Sequence, residues 1–285
     1  MKNFNEKYLF EDEKYFYLYK HVDSSDGSLC ILSQGTLKFT NPKNFNDPFD
    51  CKFSLTPAYL SSSKALKMNE GILFPKRSPA KRALESQRMK NFYNYNPQLL
   101  KSISEVRNSA YICCLNQNPL NILMWSHYAQ QHKGFVIEFR FKKNPEFASI
   151  EKEHIFIPYP ILYSPIFPKL VKKDRQTDAV ANKSFLTKSL DWSYEKEWRI
   201  IRYDLESNEE IQKFPRDMVL TSVIAGIGVN NEVFLKWEKA LSLVSKEMKR
   251  QVRIYKAEII DNKYALTVPN HPRLDVSANS KKIKK

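Results

Sequence analysis

The chain has 285 residues, of which 42% are hydrophobic and 13% aromatic, and a formal net charge of +15. It is long enough for a sizeable buried core and too apolar to be disordered. Only six glycines occur, in no G-x-G-x-x-G and no Walker-type loop. A glycine-rich phosphate cradle is therefore excluded, as is a transmembrane helix, since no stretch approaches the roughly 18 apolar residues of one span.

Tyr15–Lys20 alternates aromatic and apolar residues and predicts a strand. Ser25–Gln34 predicts a short helix closed by Gly35, and Thr36–Thr40 a second strand. Asn41–Asp50 (NPKNFNDPFD) is an ordered loop, in which Asn and Asp side chains lock a turn that Phe45 and Phe49 anchor. A basic helical insertion is expected over about 61–108: Lys64 to Arg107 holds ten Lys/Arg against three acids. Ala110–Leu115 predicts a strand. Asn118 as cap and Pro119 in the first turn open a helix that runs over Asn121–Lys133 to Gly134. Strands follow at Phe135–Phe141, Glu195–Tyr203, Met218–Ile227 and Val252–Ile260. His154–Tyr163 is extended, Val171–Ser189 helical, and Asn230 caps an amphipathic helix to about Lys249. The chain frays after Asn270 into a basic tail, 271–285. Strands outnumber helices and do not alternate with them, which predicts a single α+β domain over residues 1–270 with a mixed or antiparallel sheet and packed helices.

Cys30, Cys51, Cys113 and Cys114 show no C-x-x-C spacing and read as reduced, small core residues. With no signal-like N-terminal apolar run, a cytoplasmic protein that does not engage membranes is expected. The charge favours an anionic partner, such as nucleic acid.

Four segments hold candidate functional residues. In Trp192–Arg199 (WSYEKEWR), a continuous strand puts Glu195, Glu197 and Arg199 on one face: two carboxylates able to act as base or to stabilise a cation, and a guanidinium able to hold a phosphate. The structural alternative is an exposed ion-pair ladder. In Met124–Gly134 (MWSHYAQQHKG), Asn121, Trp125, Tyr128, Ala129 and His132 form one helical stripe, either an aromatic pocket wall or a core face. His127 and His132 are five apart, poorly spaced for one metal, and no metal is expected. In Phe45–Asp50 (FNDPFD), Asn46 and Asp47 are placed to meet a ligand from a rigid loop. At the end of the first strand, Lys20 and His21 face opposite ways, so one of them is expected to point into a cleft.

These pieces in this order resemble an uncharacterised bacterial domain-of-unknown-function family, whose members carry a Tyr-Lys start (here Tyr19-Lys20), an FNDPFD-like loop (Phe45–Asp50), an MWSHYA-x-x-H-x-G helix (Met124–Gly134) and a W-x-Y-E-x-E-W-R strand (Trp192–Arg199). That likeness brings no characterised activity. A looser likeness in motif order is to ADP-ribosyltransferase-like proteins, including bacterial toxins that modify nucleic acid: His21 or Lys20, then Gly35-Thr36-Leu37, then Tyr128, then Glu195 and Glu197. It implies an ADP-ribosyltransferase-like fold, NAD as substrate and a role as toxin or phage-defence effector. In it Glu197, the first choice, or Glu195 stabilises an oxocarbenium-like transition state. Tyr128 and Trp125 pack on nicotinamide, Lys20 or His21 holds a ribose hydroxyl or phosphate, and Arg199 holds the pyrophosphate. The other readings are a non-catalytic nucleic-acid-binding or defence adaptor, and a nuclease using Asp47, Asp50 and Glu197 with a divalent metal.

Overall fold

A computed structural model describes residues 9–55, 105, 108–143, 156–170, 182–203 and 210–276. In chain order its elements are β1 (Tyr15–Val22), α1 (Asp26–Ser33), β2 (Thr36–Lys38), β3 (Ser54–Leu55), β4 (Ala110–Asn116), α2 (Ile122–Tyr128), β5 (Phe135–Lys142), β6 (Pro158–Pro160), β7 (Leu162–Ser164), β8 (Lys169–Leu170), β9 (Thr187–Ser189), β10 (Glu197–Tyr203), β11 (Ile211–Lys213), α3 (Arg216–Val219), β12 (Leu220–Ala225), α4 (Asn231–Glu247), β13 (Arg253–Lys256), β14 (Glu258–Ile259) and β15 (Leu266–Thr267). The expected basic insertion lies almost wholly outside the described residues, as does most of the helix expected from Val171.

Seven strands form one sheet in the order β13-β12-β5-β1-β4-β10-β6. Every neighbouring pair is antiparallel except β12 with β13, which α4 connects in parallel, so the sheet is mixed. Period-two alternation sorts its side chains. Phe16 and Leu18 on β1, and Trp198 and Ile200 on β10, face one core with Leu32 of α1 and Trp237 and Leu241 of α4. Phe135 and Trp237 stack there with ring centroids 3.8 Å apart. Tyr17 and Tyr19 face the opposite core with Trp125 of α2. Glu197 and Arg199 extend from β10 on that opposite side, away from α1 and α4.

The local signals explain the boundaries. Ser25 caps α1, its hydroxyl accepting from Ser28 N, and Gly35 past the helix takes φ +64. Asn230 caps α4, accepting from Val233 N at 2.9 Å. Asn230→Ala should cost about 1 kcal/mol, read as a lower urea midpoint at unchanged slope.

α2 differs from expectation. Its cap is Asn121, which accepts from the backbone N of Leu123 and Met124, and the helix ends at Tyr128. Gln130, Gln131 and His132 then adopt left-handed φ values of 50, 49 and 66. The tight turn delivers Gly134 against β1, where a Cβ would sit 2.2 Å from Val22 O.

The chain also does not fray at Asn270. His271 and Leu274 are buried against the sheet. Arg273 between them is held by Glu138 of β5, a fully buried carboxylate that accepts from Arg273 (Nη2, 2.6 Å; Nε, 3.0 Å), Thr221, Ser222 and Tyr19. Buried charge persists when it is paired and hydrogen-bonded in this way.

Candidate active site

Trp192–Arg199 is not one continuous strand. Residues Leu190–Glu195 form a 3₁₀ turn, capped by the Ser189 hydroxyl, which accepts from Asp191 N. Lys196 takes a left-handed φ of 47, and only then does β10 begin, at Glu197. Glu195 and Glu197 therefore come from two elements, yet their carboxylates converge on one cation. Lys188 Nζ on β9 donates to Glu195 Oε2 at 2.5 Å and to Glu197 Oε2 at 2.8 Å.

Behind them Arg199 is wholly buried, and its donors are committed. Nε meets Glu197 Oε1 at 2.6 Å, Nη2 meets Asp50 Oδ2 at 2.6 Å, and Nη1 meets Phe185 O at 2.8 Å and Cys51 Sγ at 3.3 Å. An exposed ion-pair ladder is thus ruled out: Glu195, Glu197 and Arg199 are 3%, 4% and 0% exposed. Among Asp50, Glu195, Glu197, Lys188 and Arg199, three carboxylates face two cations.

Tyr128 reaches across from α2 and donates its hydroxyl to Glu195 Oε1 at 2.7 Å. With Glu195 and Glu197 it borders a cavity of about 150 Å³ that Lys20, His21, Asn46 and Asn116 also line. An apolar cavity of about this size is enough for a benzene-sized ring. Lys20 and His21 follow the Tyr19–Asn116 pair that joins β1 to β4. The long Lys20 stem lets Nζ reach Cys114 O at 3.1 Å, so both residues border the cavity although they face opposite ways along the strand. Asn116 Nδ2 donates to Tyr19 O and lies 3.0 Å from His21 Nδ1, which makes Nδ1 the acceptor and puts the ring proton on Nε2. His21 Nε2 and Asn116 Oδ1 are buried without a protein partner among the described residues.

Besides Arg199, which lies behind the cavity, two expected site residues lie elsewhere. Trp125 is fully buried in the second core, its indole Nε1 donating to Pro119 O at 2.7 Å, with the His21 ring edge-on at 5.3 Å. It supports His21 and does not border the cavity. Asp47 turns away: Oδ1 accepts from Phe49 N, and the residue lines a neighbouring cleft. Lys188 was missed in the sequence because it falls at the end of a stretch that reads as helix. Two nearby glutamates, if buried, were the one signal that a counter-cation was needed.

The two glutamates titrate apart. Burial works to raise Glu197, but Arg199 and Lys188 outweigh it and hold its carboxyl well below the usual range. Burial raises Glu195; Lys188 opposes this, the Glu197 charge adds to it, and the net shift is upward. Lys188 stays charged, since Glu197 and Glu195 together overcome its burial. Burial next to Glu195 raises the Tyr128 phenol, keeping it a neutral donor. His21 is pushed down to about 3 by burial and stays neutral.

Acid should destabilise the fold from near neutrality. His271, pushed to about 4 mainly by burial, and His21 bind a proton in the unfolded chain below about 6.5 before they do when folded. Glu138, lowered because Arg273 outweighs its burial, and Glu197 contribute stability above the ordinary carboxylate range and lose it as pH falls through their folded values. Glu195 runs the other way but is one group against four. Urea midpoints should fall between pH 7 and pH 5 and faster below, with His271→Gln flattening the upper limb. A midpoint rising on acidification would contradict this.

Among the described residues no group of three or more His, Cys, Asp or Glu is placed to hold a metal ion. Asp50 and Glu197 are bonded to Arg199, so a divalent ion would first have to break buried ion pairs.

Residues 124–200 match the model of a family described as "Protein of unknown function (DUF2971)". The matched span contains Tyr128, Lys188, Glu195, Glu197 and Arg199 and supports the likeness to an uncharacterised domain-of-unknown-function family. No curated protein and no solved structure matches the chain. No helix among the described residues is long and apolar enough to cross a membrane.

Proposed function

We propose that this protein is an enzyme that cleaves the nicotinamide–ribose bond of NAD and passes the ribosyl carbon to an anionic acceptor such as nucleic acid, as ADP-ribosyltransferases do. The observation that carries this reading is the Glu195 carboxylate: shifted upward, bonded to Tyr128 and Lys188, and bordering a ring-sized cavity beside a second carboxylate that stays ionised. Two carboxylates pushed apart in pKa divide the work of a base and of a charge stabiliser.

In this reading the nicotinamide ring enters the cavity, and its carboxamide offers partners to His21 Nε2–H and Asn116 Oδ1. The C1′–N bond breaks, nicotinamide leaves neutral with the bonding pair, and the excess negative charge of the cluster stabilises the oxocarbenium-like centre. The acceptor's lone pair attacks C1′ as Glu195 takes its proton. Glu197, the first choice from the sequence, is clamped by Arg199 and becomes the fixed charge. The base is then Glu195. Arg199 has no donor left for a pyrophosphate, so that role passes to Lys20 on the cavity wall.

The test is chromatographic measurement of nicotinamide released from NAD, with and without an oligonucleotide acceptor. A non-catalytic adaptor releases none and is indifferent to glutamine at Glu195 and Glu197.

A further inference from the structure

Across Lys188 lies a second, larger cleft of about 760 Å³. Lys188 borders both, so the cleft begins one side chain away from the carboxylate pair. Part of its wall is apolar and aromatic, and the rest is polar. Phe49 and Phe167 stack with centroids 6.5 Å apart, and they and Ile166 are 64%, 45% and 67% exposed. Trp192 adds a ring 5.0 Å from Lys188 Nζ. Single exposed apolar side chains are ordinary, whereas a contiguous patch marks a binding surface. Exposed Lys52 and Lys169 also line the cleft. So do Asp47 and Asp191, whose carboxylates accept from Phe49 N and from the Ser189 hydroxyl and keep their charge, so the attraction for a polyanion comes from the chain's net charge and not from a local excess in the cleft.

We infer that this cleft holds a base of a single-stranded nucleic acid as the acceptor of the proposed transfer, an inference that rests on the NAD reading above. Flat rings stack on exposed aromatic side chains whatever their sequence, and flanking lysines track the phosphates. The bases of a duplex are already stacked on one another and cannot enter. A net charge of +15 draws in a polyanion. A base stacked against Phe49, Phe167 or Trp192 presents its exocyclic amino or ring N–H group towards Lys188. That group supplies the lone pair for C1′ and yields its proton to Glu195.

The test is fluorescence anisotropy with a labelled single-stranded oligonucleotide, as DNA and as RNA, and with its duplex. The single strand should bind at least about tenfold more tightly than the duplex, with an affinity that falls as salt rises. Phe49→Ala with Phe167→Ala should weaken it by about tenfold or more. Both rings are exposed, so the circular dichroism of this variant should match wild type. Glu195→Gln should bind the strand as wild type does. Intact binding without nicotinamide release therefore counts only against the NAD reading, and release to water without strand binding only against this cleft. Equal duplex binding, binding indifferent to the two phenylalanine changes, or a dimer that those changes split in light scattering would overturn the inference.

Discussion

Replacing Arg199 with methionine should lower the unfolding free energy by about 3–5 kcal/mol, the usual cost of removing one partner from a buried ion pair. The side chain is 0% exposed and bonds Glu197, Asp50, Phe185 O and Cys51 Sγ. Without it, Glu197 and Asp50 stay buried with Lys188 as their remaining cation. Lysine should not rescue the site, because one Nζ cannot replace a planar fork that meets four oxygens at once. Adding Glu197→Gln should recover part of the loss, since the two changes act on one network and are not additive. Urea unfolding followed by circular dichroism reads all three variants. A loss within about 1 kcal/mol for Arg199→Met would mean that the cluster relaxes far more than its burial implies.

Glu195→Gln should slow nicotinamide release by about 10²–10⁴-fold, the range for loss of a general base, with KM little changed. Glutamine keeps the shape and can still accept from Lys188 and Tyr128, but it cannot take a proton. In the wild type, activity should rise as Glu195 ionises, with an acid limb above the ordinary glutamate value of about 4.3, because burial and the Glu197 charge raise it. Glu197→Gln should move that limb to lower pH: it removes the repulsion and leaves Lys188 one fewer carboxylate to share with Glu195. A limb unmoved by Glu197→Gln would place the titrating group elsewhere.

Local chemistry made much of the fold legible. Ser25, Gly35 and Asn230 mark helix ends because capping acts within a few residues, and the alternation in β1, β5 and β10 identifies sheet faces directly. Only the loose likeness in motif order, and no local signal, put Tyr128 and Glu195, 67 residues apart, in one candidate site; a hydrogen bond joins them. What the sequence hid depends on long-range packing. Trp125 and Tyr128 share a helical stripe, yet one side chain fills the core and the other reaches the cavity, because the stripe straddles the edge between them. Asp50 reads as a possible metal ligand in the sequence, whereas in the fold its carboxylate accepts from Arg199. Lys188 and Glu138 sit among unremarkable neighbours and gain meaning only from what the sheet brings beside them. The left-handed Lys196 put Glu195 on a turn, and no single-residue propensity announces that.

The most direct measurement of the central claim is nicotinamide released from NAD by purified protein, wild type beside Glu195→Gln, with single-stranded oligonucleotide present and absent. The account predicts release by the wild type, increased by the strand and lost in the variant while the variant keeps its fold. No release by the wild type under either condition, or equal release by both proteins, would contradict it.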